Sequence, residues 1–539
     1  MGFGKLYKNL FSFLLLLPLA YSASLDVRIP TGTFRGFVAN GNERWLGVPY
    51  ALPPVGVRRF KAPVPAARSN AIVNASTFGN ACPQPPSRLD APVKEDCLFL
   101  NIFRPENTSA DAALPVLLWI HGGQYTTGAA SEPAWEPSEL LARSVAINKP
   151  IVFVSINYRL NTFGFLASSL VAPEDLNAGL LDQQLAMQFV NENIKAFGGD
   201  PSKVTIWGQS AGGGSIQAHF IYPPPKPLFR AGIGNSAVGP FKHSPKASIF
   251  DEPDKPFGRL LTNTGCSFGR DALECLRAVP FETLLNISNT MILGTLNMQL
   301  WQPAVGPRGS LVPERASLRI EAGNFLHLPY IGGTTLNEGS TFADPLIGTG
   351  LSGRAEDEAF IDYIDHLFID NSTITPDVYA DSLRMYPAND MNLNAPFNTG
   401  DSLFDRATAW YTNAMFLSTR RLWFEHASRF QPMFGYFFTE FIPGNDPFFG
   451  VSHESEMPLL FGHIRAVASI ETDFAHKWQD FYINFVNDLN PGEEWPLFTK
   501  NDGSLLQLKR NNITVIPDDF DVRKAAFFMT DRILAEFQK

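Results

Sequence analysis

The amino-acid sequence predicts an α/β fold: a large, mostly parallel central sheet with helices on both faces and long insertions. Three observations predict it. Apolar β-type runs alternate with stretches of helical period through the first half of the chain. Those runs are continuous rather than alternating, as strands covered on both faces must be. One run passes through Gly208-Gln-Ser-Ala-Gly212 straight into a helical stretch. Composition agrees, since 539 residues with 45% apolar and 18% charged side chains exclude a disordered chain, a collagen and a small disulfide scaffold.

Residues 1–22 read as a secretory signal peptide. Lys5 and Lys8 precede an apolar run from Leu10 to Ala20, too short to span a bilayer, and Ser22 and Ala23 supply small residues for cleavage. The expectation is therefore a secreted, extracellular protein with no integral membrane anchor, in which residues 23–539 form one catalytic domain. Without the leader, 41 basic residues face 53 acidic ones. Such a surface repels nucleic acid and anionic membranes. Sequons stand at Asn74, Asn107, Asn286, Asn371 and Asn512, candidate N-glycosylation sites in a secreted chain. The four cysteines lie in two local pairs, so the economical pairing is Cys82–Cys97 and Cys266–Cys275. No CxxC spacing occurs and no His lies near either pair, which argues against a zinc site.

The runs Val116-Leu-Leu-Trp-Ile120 and Ile151-Val-Phe-Val-Ser-Ile156 predict buried strands. Apolar residues at Leu185, Phe189, Val190, Ile194 and Phe197 have helical period and meet a stop at Gly198-Gly-Asp-Pro201. Val204-Thr-Ile-Trp207 predicts the next strand, and residues 211–222 a helix ended by Pro223-Pro-Pro225. Tyr330-Ile-Gly-Gly333 and Met433-Phe-Gly-Tyr436 are later strand candidates. Residues 356–429, between them, look helical.

A strand, a GxSxG turn and a helix in succession form the context of a nucleophile elbow, which presents a serine at the top of a sheet. That serine is Ser210. The helix N-terminus beside it favours a developing oxyanion. His121-Gly-Gly-Gln124, after the strand ending at Ile120, fits an oxyanion-hole loop, and the Ala211 amide is a further donor. A serine needs a base, and in this chain order the acid precedes the histidine. His453, in the polar loop Gly450-Val-Ser-His-Glu-Ser-Glu456 after the last clear strand candidate, leads; His463 is the runner-up. His366, His426 and His476 fall in helical patterns. Glu338, just after the strand candidate at 330–333, is the acid expected to orient the imidazole, with Asp344 the alternative.

With these motifs in hand, the sequence resembles the type-B carboxylesterase/lipase family, which includes fungal lipases and cholinesterases, over nearly the whole mature chain. The markers run from Gly47-Val-Pro-Tyr50 and Glu95-Asp-Cys-Leu-Phe-Leu-Asn101 through Asn157-Tyr-Arg159 and Asn177-Ala-Gly-Leu-Leu-Asp-Gln183. They continue with Phe197-Gly-Gly-Asp-Pro201, Gly208-Gln-Ser-Ala-Gly-Gly213, Cys275-Leu-Arg277 and Asn337-Glu-Gly-Ser340. The resemblance implies an α/β-hydrolase fold, a Ser210–Glu338–His453 triad, the same two disulfides and no cofactor or metal. It puts the oxyanion donors at Gly123 and Gln124 beside Ala211, and Tyr125 in the substrate pocket. Gln124 departs from the family's third glycine. The loop between Cys82 and Cys97 has only 14 residues and no Trp, against a long apolar lid in the family's lipases. The expected activity is hydrolysis of small-molecule esters of short-chain, aryl or feruloyl type. Long-chain lipid or sterol esters are the alternative, and a non-catalytic adhesion module is the remote one.

Overall fold

The computed structural model describes Met1, residues 25–239 and residues 242–539. Except for Met1, the expected signal peptide lies outside the described residues. The core of the molecule is an 11-stranded mixed sheet. Its centre is parallel and runs, in spatial order, Ser504–Leu508, Met433–Phe438, Tyr330–Thr335, Ala231–Asn235, Gly199–Gln209, Leu114–Ile120 and Val152–Ile156. Antiparallel strands close both edges: Thr514–Pro517 on one side, Phe99–Pro105, Asn42–Pro49 and Phe37–Ala39 on the other. These edge strands carry polar side chains at intervals, so no continuous apolar run announces them. A small separate sheet joins Asp26–Ile29, Gly32–Arg35 and Ile72–Asn74.

The central strands are apolar because helices cover both faces; Val152–Ile156 and Tyr330–Thr335 are buried at every position. The helix predicted over 181–197 spans Ala178–Asn193 and tightens into a 3₁₀ turn at Ile194–Phe197. Gly198, at φ 84°, caps it in the left-handed region. The next strand then starts at Gly199, earlier than the apolar run suggests, because Gly199 pairs with Leu114.

One register row crosses four strands as Gly208, Gly234, Gly332 and Gly435. A Cβ on Gly208 would stand 2.5 Å from the Gly212 backbone, and one on Gly212 would stand 2.1 Å from the Ile120 carbonyl oxygen. Glycine is required there so that the helix Ala211–Ile221 can lie down on the sheet.

The insertion between Thr335 and Met433 is helical, as its pattern predicts: Arg354–His366, Pro376–Met385, Ser402–Tyr411 and Ser418–Ala427, the last two joined through a π-helical segment at Thr412–Leu417. It builds a second apolar cluster around Phe342, Phe360, Phe404, Trp410 and Phe416, distinct from the cluster on the sheet. Phenylalanine is spent mainly in these two cores. Both expected disulfides are present, Cys82–Cys97 and Cys266–Cys275. Asn74, Asn107, Asn286 and Asn512 are exposed, whereas Asn371 is half-buried and donates to Asp365 at 2.7 Å. No helix among the described residues is long and apolar enough to cross a membrane.

Candidate active site

The residues singled out by the sequence gather at the carboxyl ends of the parallel strands, where open α/β sheets place their sites. Ser210 follows Gly199–Gln209 and caps the helix Ala211–Ile221 with φ 57° and ψ −122°. Such a conformation is strained for a residue with a side chain and persists only when its surroundings hold it. Here the Ser210 amide donates to Asn235 O at 2.9 Å, and Ser210 O accepts from the Gly214 amide at 2.8 Å. Gln124, Tyr125, Ser236 and Glu454, all at or beside the site, also have positive φ.

Glu338 lies in the turn after Tyr330–Thr335 and is fully buried. One carboxylate oxygen accepts from the Thr335 amide at 2.7 Å and from Ser236 Oγ at 2.6 Å; the other accepts from His453 Nδ1 at 2.5 Å. With Nδ1–H given to Glu338, Nε2 of His453 carries the free lone pair. Burial pulls the imidazole pKa down, but the charge and hydrogen bond of Glu338, helped by Glu454 and Glu456, carry it above its ordinary 6.5. The rings of Phe342 and Phe416 shield His453 from the side, at 5.3 and 4.9 Å.

Sequence reasoning missed three contacts. First, Nε2 of His453 accepts from the Gln209 side-chain amide at 3.1 Å, while Ser210 Oγ makes no hydrogen bond among the described residues. Second, Asn337 ties the acid loop to the base loop. Its amide donates to Val451 O at 3.0 Å, its Oδ1 accepts from the Val451 amide at 2.9 Å, and it bridges to Ser452. Third, Ser236 supports Glu338 from the end of the strand Ala231–Asn235. The motif Asn337-Glu-Gly-Ser340 contains the signal for the second contact; nothing local in the sequence signals the other two.

The alternatives lie elsewhere. Asp344 is exposed at the start of a short 3₁₀ turn. His463 lines a hollow of about 640 Å³ on the outer side of His453, with Trp135, Phe449, Met457 and Arg465; Ser210 is not part of its wall.

The loop His121–Tyr125 faces Ser210. His121 is buried, its pKa lowered to about 4 by burial, so it is neutral; Nδ1–H donates to Gly122 O at 2.9 Å and the ring stacks on Tyr158. Gly123 takes φ 94°, and a Cβ there would stand 2.2 Å from Thr127 O. Among the described residues, the amides of Gly123, Gln124 and Ala211 donate to no other group. They are free to serve a ligand.

Ser210 itself borders a cavity of about 20 Å³ with Gln124, Tyr125, Ala211, Val238, Lys242, Gln299, Gln302, Phe342 and Tyr411. The disulfide loop packs against the floor of this region: Gln84 accepts from the Gly128 amide at 2.8 Å and donates back to Gly128 O at 2.9 Å. Among the described residues no group of three or more His, Cys, Asp or Glu side chains could hold a metal ion.

A family model described as "Carboxylesterase family" matches residues 23–524. Secreted lipase 1 of Botryotinia fuckeliana is 32% identical, covering 93% of this chain and 92% of that protein. The para-nitrobenzyl esterase of Bacillus subtilis is 31% identical, covering 92% and 97%. Among solved structures, EstA of Aspergillus niger superposes with a TM-score of 0.82 at 26% identity, over 96% of this chain and 99% of that one.

Proposed function

Because the chain belongs to the carboxylesterase family and is a carboxylic ester hydrolase of the α/β-hydrolase fold, we propose that it acts through an acyl-enzyme on Ser210. Ser210 Oγ attacks the ester carbonyl carbon as His453 Nε2 takes its proton, the Gln209 amide giving up its place on that nitrogen. Glu338 holds the ring orientation and stabilises the imidazolium. The amides of Gly123, Gln124 and Ala211 receive the oxyanion. His453 then protonates the departing alcohol, and a water activated by the same nitrogen releases the acid.

One observation carries this reading. The buried 2.5 Å contact of Glu338 with His453 lies at the same sheet edge as the strained Ser210. Gln124 does not break the hole, since a backbone N–H survives any side chain.

The substrate proposed is an ester with a short acyl group. The cavity beside Ser210, bounded by Gln124, Tyr125, Phe342 and Tyr411, is small, which favours a short acyl group over a fatty chain. The 14-residue disulfide loop, pinned to Gly128 through Gln84, favours this over a lipase with a swinging cover. The names of several relatives favour the lipase reading. A chain-length profile decides: a maximum at acetyl to butyryl supports the short-chain reading, and activation by an emulsion supports the lipase. We also propose secretion, on the leader-like residues 1–22, the two disulfides and the relative named a secreted lipase. An organophosphate tests the core of the reading. Stoichiometric labelling of Ser210 supports it; a folded sample that stays unlabelled overturns it in favour of a non-catalytic module.

A further inference from the structure

The cavity beside Ser210 is not an apolar slot. Lys242 sits in its wall, 4% exposed, with three glutamines and the tyrosines 125 and 411. The Lys242 ammonium donates to Gln299 Oε1 and lies over the Tyr411 ring at 5.9 Å. Among the described residues, no carboxylate comes within 4.0 Å of it. A second buried lysine, Lys539, adds charge of the same sign: its ammonium donates to Ala414 O at 2.5 Å. Burial, helped by the charge of Lys539, lowers the pKa of Lys242 to about 7. Asp370, the acid that adjoins this region through His243, is already occupied by Ser372 and Gln538, at 2.6 Å each. His243 supplies no charge, since burial holds its pKa near 4. Gln124, which lines the same cavity, has its Oε1 buried with no partner among the described residues.

Burying an ammonium without an anion is costly, so Lys242 gives up its proton readily, and an anionic ligand beside it would restore the charge and gain a buried ion pair. A fatty acyl chain would leave Lys242 uncompensated.

We propose that Lys242 is a specificity residue for the acyl group, and that the preferred substrate is a short dicarboxylic half-ester. Its ester carbonyl lies at Ser210 and its free carboxylate exchanges for Gln299 on the Lys242 ammonium. This rests on the acyl-enzyme reading above and names its substrate class. The step is ordinary hydrolysis. The Ser210 Oγ–acyl bond forms as the acyl–alkoxy bond breaks, the alcohol leaves with the serine's proton by way of His453, and water then restores Ser210 and frees the diacid.

The test compares kcat/KM for mono-4-nitrophenyl succinate with that for 4-nitrophenyl butyrate, of similar length but uncharged. In the wild-type enzyme the half-ester should be preferred, and Lys242→Met should lower the ratio of the two constants by about 10², the scale for removing one partner of a buried charge pair. A wild-type ratio of one or less, or a ratio unmoved by the substitution, overturns the proposal. Should the variant not fold, the wild-type enzyme suffices: succinate should inhibit butyrate-ester hydrolysis competitively at concentrations where butyramide does not, and equal inhibition by both overturns the proposal. Hydrolysis of the butyrate ester with no half-ester preference removes this inference and leaves the esterase reading standing. Absence of hydrolysis and of organophosphate labelling removes both.

Discussion

On one flank of Ser210 the carboxylate of Glu338 accepts three hydrogen bonds, and His453 has both ring nitrogens engaged. On the other flank the ammonium of Lys242 has a glutamine and an aromatic face, and Gln124 Oε1 has no partner among the described residues. Both flanks are buried, so each unmet charge is expensive. The contacts of Glu338 with His453 are made without substrate, as the proposed proton relay requires, although the neighbouring Glu456 carboxyl is buried with no partner among the described residues. On the Lys242 side a carboxylate would complete the ammonium, whereas Gln124 Oε1 is an acceptor and calls for a donor.

Breaking the base side should have the largest consequences. Ser210→Ala should lower kcat about 10⁶-fold, roughly 8 kcal/mol of barrier, measured against a fast reporter ester with labelling as control; retention of most activity would discard Ser210 as nucleophile. Glu338→Gln should lower kcat by about 10⁴, whereas Asp344→Asn should leave it near the wild-type value. The pH profile adds an independent readout. If His453 is the base it must be neutral, and Glu338 holds its pKa above 6.5, so the proposed mechanism expects kcat/KM to fall as pH drops through a value above 6.5. Without the carboxylate the acid limb should move to lower pH.

Asn337→Ala should be milder, about 10- to 10²-fold in kcat, because it removes no reacting group and only lets the base loop shift. Its acid limb should move down too, as the contact of His453 with Glu338 loosens; an unchanged limb would make Asn337 merely structural. Gln209→Ala should have the smallest effect, a few-fold rise in kcat/KM. It frees Nε2 for Ser210, and a large fall would show instead that the amide orients the ring.

Much of this was legible in the sequence where the signal is local. A strand, a GxSxG turn and a helix follow one another without interruption, so the elbow at Ser210 can be read directly. The turn with Glu338 directly follows a strand candidate and His453 lies in the polar loop beyond the next, so chain order favours them over Asp344 and His463, and the structure brings the two into contact. The antiparallel edge strands, such as Asn42–Pro49, were not legible because buried Asn42, Glu43 and Arg44 interrupt their apolar pattern. Lys242 was invisible for another reason: it follows Pro240-Phe241 in an aperiodic stretch, and only the tertiary fold turns it toward Ser210. The engagement of His453 by Gln209 likewise joins residues 244 positions apart.

The bridge between Asn337 and Ser452 also bears on how this scaffold tolerates redesign. Glu338 and His453 are 115 positions apart, yet each stands next to one partner of the isolated bridge Asn337–Ser452, anchored before the helical insertion begins and after it ends. The insertion is therefore exchangeable only in part: Asn394 accepts from the Asn337 side chain at 2.6 Å, Thr412 Oγ1 accepts from the Gly339 amide at 2.8 Å and the Phe416 ring lies 4.9 Å from His453, so a redesigned roof must keep these three contacts while its outer helices are free to change.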